Sequence, residues 1–205
     1  FFLFITSCNS DERPNIIWLV SEDNSIHFMD LYSKDGAKMP NISSLAKKGV
    51  VFNNAFSNAP VCSVARSTII TGVYGPTIGT QYHRKAYPVN LPKYIKPLPL
   101  YLRDAGYYTT NNNKEDYNFK KENEIWDESS SKATYKNRKV NQPFFHVQNF
   151  GDTHEGRLHF DEEYFKKEIE NFNIENTPTF PYHPDTPIFR FTRELLYKHH
   201  LSLDS

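Results

Sequence analysis

Cys62 opens the run Cys62-Ser63-Val64-Ala65-Arg66-Ser67-Thr68-Ile69-Ile70-Thr71-Gly72. Residues 63 to 71 carry helix-compatible side chains, and Gly72 supplies the stop, so this stretch is predicted to be helical. A cysteine at the head of a helix sits in a field that favours anionic groups. Arg66 lies one turn further on the same face. Together they make an anion pocket with a reactive atom at its mouth. On these residues alone three readings stand: a thiolate nucleophile, an oxyanion site, or a buried cysteine beside a surface arginine.

Three further clusters could share that chemistry. Glu22-Asp23 follows the apolar run Asn15-Ile16-Ile17-Trp18-Leu19-Val20, and paired carboxylates there suit a hard divalent cation or a solvated turn. Lys114 closes the polar run Asn111-Asn112-Asn113 after the β-prone Tyr107-Tyr108-Thr109-Thr110. Its compact charge suits a tetrahedral anion. His154, in Gly151-Asp152-Thr153-His154-Glu155, follows another apolar run and can protonate a departing alkoxide near neutral pH. His83-Arg84 is a weaker candidate for lining a substrate pocket.

These clusters need strands to present them. Residues 15 to 20, 50 to 52, 107 to 110 and 143 to 150 read as strands, the first of them buried on both faces. Helices are predicted over 40–48, 63–71, 98–105, 161–172 and 189–200, with Gly49, Gly72 and Gly106 as stops for the first three. Residues 115 to 142 are polar and weakly periodic, which predicts a surface excursion. Pro178, Pro181, Pro184 and Pro187 predict loop over 176–188. Strands alternating with helices imply an α/β fold with a mostly parallel sheet flanked by helices. Ligands gather at the carboxyl ends of strands in such sheets, where all three polar clusters fall.

The chain has 205 residues, with 24 Lys+Arg against 24 Asp+Glu. A zero net charge gives no electrostatic case for nucleic acid as a partner. Aromatic residues make up 15% of the chain, enough for a packed core. Two cysteines, Cys8 and Cys62, are too few for a disulfide scaffold. Residues 1 to 7 are apolar and then small, too short to span a bilayer, and read as the tail of a signal peptide. Ile5-Thr6-Ser7-Cys8 resembles the lipobox of bacterial lipoproteins, with Cys8 as the lipidated residue and the polar residues behind it as a tether. The domain reading is therefore 1–12 as signal remnant and tether, and 13–205 as a partial catalytic domain. Both ends look cut.

Cys62 to Gly72 resembles the sulfatase signature, C-x-P-S-R followed by a short helix and T-G. The sequence keeps the Cys, the Arg and the T-G, and departs at Val64 and Ala65. Glu22-Asp23 after Pro14-Asn15 and an apolar strand resembles the family's Asp-Asp metal pair. Lys114 resembles its sulfate-binding lysine, although Asp116 stands where many members carry a histidine. His154 resembles the histidine that follows the strand F-F-x-x-x-x-F. The four matches fall in the family's order.

That resemblance implies an alkaline-phosphatase-like α/β fold, incomplete at the C-terminus, and hydrolysis of sulfate esters, on sulfated polysaccharides. It implies oxidation of Cys62 to formylglycine by a maturase, with Arg66, Lys114 and His154 as its catalytic partners. It implies one calcium ion on Glu22, Asp23 and residue 62. With the lipobox it implies a lipid-anchored protein of the periplasm or cell surface. The family's later metal ligands and second sulfate-binding lysine have no counterpart after residue 160, so these residues alone are expected to be inactive. Two rivals stand beside this reading. One is a phosphatase or phosphodiesterase of the same superfamily, against which the Cys62/Arg66 spacing argues. The other is a glycan-binding lipoprotein or a catalytically incomplete sulfatase-like fragment.

Overall fold

The computed structural model describes residues 13–84, 89–122 and 124–204. The signal, tether and lipidation readings at residues 1–12, Cys8 included, lie outside the described residues. The chain divides into two compact units. The first runs up to Trp18 and resumes over Asn58–Gln148; the second comprises Leu19–Ser57 and Asn149–Ser205.

The sheet has four strands: β1 (Ile16–Ser21), β2 (Tyr108–Asn112), β3 (Glu128–Ser129) and β4 (Phe144–Phe150). Their order is β1-β4-β2-β3, and β2 pairs in parallel with both β4 and β3. The expected α/β class with a parallel sheet is therefore what the chain forms. The helices are α1 (Pro40–Ala46), α2 (Cys62–Thr71), α3 (Gly75–Ile78), α4 (Leu98–Asp104), α5 (Glu162–Glu168) and α6 (Pro187–Leu201). Among the described residues, no helix is long and apolar enough to cross a membrane.

In the first unit, alternation along β4 sorts its aromatics onto two faces. Phe145 is fully buried between Trp18, edge-on at 4.9 Å, and Trp126, stacked at 5.5 Å. Phe144 points the other way and stacks on Tyr135 at 4.5 Å. In the second unit the core gathers on Phe191 of α6, with Phe160, Phe165 and Phe172 packed edge-on at 5.2, 5.2 and 4.8 Å.

Three expectations fail for identifiable reasons. Residues 50–52 form no strand: Val50 and Phe52 are 78% and 70% exposed, and β propensity alone does not supply a paired neighbour. The expectation of a first strand buried on both faces also fails. β1 is terminal in the strand order, and Ile17 and Leu19 are 52% and 62% exposed on alternate positions. The segment 115–142 is more than a surface excursion, because it supplies β3 and buries Ile125, Trp126 and Ala133.

Candidate active site

The six predicted site residues fall into two groups, one in each unit. In the first, Cys62 is the first residue of α2, following an extended Val61, and its thiol is free. The helix buries Ser63, Val64, Ser67 and Ile70 and closes on Gly72 in the left-handed conformation (φ 70°), which glycine adopts at little cost. Arg66 reaches from the second turn and donates through Nη1 to the Lys114 carbonyl at 3.1 Å. That bond ties the turn after β2 to the helix headed by Cys62. The backbone of Lys114 is thereby brought beside Arg66, on the helix that Cys62 heads.

The sequence did not reveal what holds this group together. Asn118 is buried, and its amide donates to the carbonyls of Thr80 at 2.9 Å and Tyr82 at 2.6 Å. Its side-chain oxygen accepts from the Arg84 backbone N–H at 3.1 Å, and its own N–H donates to Ser67 Oγ at 2.8 Å. Four bonds on one residue thus join α2, the loop 80–84 and the chain beyond β2. Ser63 Oγ lies 2.9 Å from His83 Nδ1 and accepts from the Arg84 N–H. His83 therefore stands one residue from Cys62, where it had been given only a weak case. Asp116 forms a two-pronged ion pair with Arg84, at 3.2 and 3.1 Å. Both residues of that pair have positive φ, 48° and 42°. The left-handed region is costly for Arg84 and better tolerated by Asp116.

The second group sits at the ends of β1 and β4. The Glu22 N–H donates to the Phe150 carbonyl at 3.2 Å, and the buried Thr153 hydroxyl donates to the Glu22 carbonyl. These bonds set Glu22 beside His154, with Nε2 at 3.7 Å from the carboxylate. His154 Nδ1 accepts the Gly156 N–H at 3.1 Å. In the neutral ring the proton is then on Nε2, facing the carboxylate. Asp23 adopts φ 46°, a conformation acidic and amide residues tolerate best, and accepts the Glu155 N–H at 2.8 Å.

This second group fits a hard divalent cation. Burial of the Glu22 side chain is costly unless positive charge compensates it, and Glu22 and Asp23 both offer oxygen donors, which calcium prefers.

Elsewhere the perturbed groups are structural. His146 on β4 shares a 2.7 Å hydrogen bond with Thr110, and burial pushes its pKa down. Burial also lowers His200, whose Nδ1 lies 2.8 Å from the Leu196 carbonyl. The Tyr108 hydroxyl bonds the Glu128 carboxylate and holds its pKa low, while burial raises that of Tyr108 itself.

The family model for Sulfatase matches residues 14–199. An ulvan-active sulfatase of Formosa agariphila is 42% identical over 175 residues, covering 80% of this chain and 29% of that protein. The human N-acetylgalactosamine-6-sulfatase is 30% identical over 105 residues, covering 47% of this chain and 20% of its own. The chain thus spans less than a third of the length of these relatives. Among solved structures, a 2-O GAG sulfatase superposes with a TM-score of 0.65 at 14% identity, covering 94% of this chain and 52% of that one. A structure of BT4656 with its substrate D-glucosamine-2-N,6-O-disulfate superposes with a TM-score of 0.61 at 19% identity, covering 81% and 39%. These likenesses show a shared fold.

Proposed function

Because the chain belongs to the sulfatase family, we propose that the protein of which it forms part hydrolyses sulfate esters on a sulfated polysaccharide, with Cys62 as precursor of the nucleophile. The observation that carries this reading is the Arg66 bond to the Lys114 carbonyl, which ties the segment bearing Lys114 to the helix that Cys62 heads. Sulfatase relatives that act on ulvan and on an amino sugar support a carbohydrate substrate.

In this reading a maturase oxidises Cys62 to formylglycine, whose hydrated form supplies an oxygen nucleophile for sulfur. Arg66 and Lys114 hold the sulfate oxygens and take up the negative charge that grows on them. His154 assists the departing sugar oxygen by donating a hydrogen bond from Nε2, since its Nδ1 accepts the Gly156 N–H. Glu22 and Asp23 would hold a calcium ion, which would supply positive charge to neutralise a sulfate anion. Lipidation of Cys8 would place the protein at a bacterial membrane, in the periplasm or on the cell surface.

The test is to express the full-length protein with a formylglycine-generating enzyme, determine the state of residue 62 by mass spectrometry, and measure sulfate release. Conversion of Cys62 together with sulfate release from 4-nitrophenyl sulfate and sulfated polysaccharides is the expected result. A fully converted protein that releases no sulfate, or that releases phosphate faster, would overturn the proposal. Palmitate labelling that disappears in Cys8→Ala checks the anchor.

A further inference from the structure

Four lysines converge on a cavity of about 170 Å³ within the first unit: Lys93, Lys96, Lys120 and Lys121. All four are exposed at its rim. Its floor is apolar and includes Leu100 of α4, Phe119 and Ile125, the last two buried. Glu122 is the one acidic residue that lines it. Three surplus positive charges therefore face one hollow on a chain whose net charge is zero.

The backbone fixes the two lysine-bearing segments against each other. Val89 and Phe119 form a parallel bridge, and the Lys120 N–H donates to the Val89 carbonyl at 2.7 Å. Lys96 pairs with Asp104 at 3.1 Å, and an exposed pair of this kind is readily exchanged. Lys121 is held at 2.8 Å by a buried oxygen of the Glu115 carboxylate. Lys93 and Lys120 make no ion pair among the described residues.

A second cavity of about 510 Å³ shares Phe119 and Lys121 with the first, and is lined also by Asn113 and Glu115, which flank Lys114 in sequence, and by Asp116. The lysine-rimmed hollow thus continues along the surface toward the turn that carries Lys114.

We infer that this hollow is a secondary subsite that binds an anionic sugar unit of the polymeric substrate, at a distance from the ester being cleaved. An apolar floor takes the C–H face of a sugar ring, and the lysine rim takes its sulfate or carboxylate. A polymer held at two points gains effective concentration at the second. Cationic rims also steer polyanions in a salt-dependent way. The inference rests on the sulfatase reading above, because it assumes a polyanionic carbohydrate substrate.

The test uses the full-length matured protein, with dextran sulfate as binding probe and 4-nitrophenyl sulfate as small substrate. The double variant Lys93→Gln/Lys120→Gln should bind dextran sulfate roughly tenfold more weakly, with a shallower dependence on salt. Its turnover of 4-nitrophenyl sulfate should be unchanged. A control, Lys136→Gln/Lys139→Gln, removes two exposed lysines that do not line the hollow and should keep wild-type affinity. Equal weakening in both double variants, or none in the first, overturns the subsite. Loss of 4-nitrophenyl sulfate turnover in the wild type would instead strike the sulfatase reading, so the two failures are told apart.

Discussion

The two units hold their site residues by different means. In the first, Cys62 and Arg66 stand on a ten-residue helix whose inner face is bonded by buried polar groups, Ser63, Ser67 and Asn118. In the second, Glu22, Asp23 and His154 stand on turns just past strand ends, tied by three backbone-directed bonds. The apolar core there lies around Phe191, among residues of α5, α6 and the turns beside them. One unit positions its residues through a hydrogen-bond network, the other through strand ends beside an aromatic core. The consequence is a difference in what damage does. Polar truncation should disorganise the first unit's site, whereas apolar truncation should loosen the second unit as a whole.

The largest effect should come from Cys62→Ala, which removes the nucleophile precursor. Sulfate release by the full-length matured protein should fall at least about 10³-fold, while the thermal midpoint barely moves. Next, Phe191→Ala should cost about 3–5 kcal/mol, since it empties the centre of a packed aromatic cluster. Urea titration would measure it, and proteolysis should cut first within Asn149–Ser205. Asn118→Leu tests the other side of the comparison. It leaves the Thr80 and Tyr82 carbonyls without their donor, at a cost of about 2 kcal/mol. Activity should fall further than that cost alone accounts for, because the loop that carries His83 loses the three Asn118 side-chain bonds that position it.

Acid should weaken both units. His146 in the first and His200 in the second have pKa values lowered by burial from an ordinary value near 6.5. The unfolded chain then binds protons that the native one resists, so stability is complete above about pH 6.5 and declines as pH falls through the lowered native values. His200 adds a specific reason: its Nε2 is buried with no hydrogen-bond partner among the described residues, so a proton there meets no acceptor. Denaturation at pH 7.5 and 5.5 should show the loss, and His200→Phe should reduce it. The smallest effect is expected of Lys96→Gln, which breaks an exposed pair with Asp104 and should change stability by less than about 0.5 kcal/mol.

The chemistry was more legible than its supports. Cys62 and Arg66 declare themselves through helical spacing and the Gly72 stop, and Asp161 fulfils its place at the start of α5 by accepting the Tyr164 N–H. These signals are local. Asn118 gave none, because its partners, Ser67, Thr80, Tyr82 and Arg84, are scattered across the chain and no periodicity marks them. The misread strand at 50–52 fails for the converse reason. Val50, Val51 and Phe52 carry β propensity, but pairing depends on a neighbour that propensity does not specify.

Helix α1 shows what such distant partnership entails. Met39 at its start offers no side-chain cap. Asp204 supplies it instead, accepting from the N–H groups of Asn41 at 3.0 Å and Ile42 at 2.8 Å. Those residues are 162 positions apart at the nearer bond. A ribosome adding roughly 5–20 residues per second needs on the order of 10–30 s to travel that span. Throughout that interval the start of α1 is a helix end awaiting a residue not yet made, so the order of translation sets when this part of the second unit can lock.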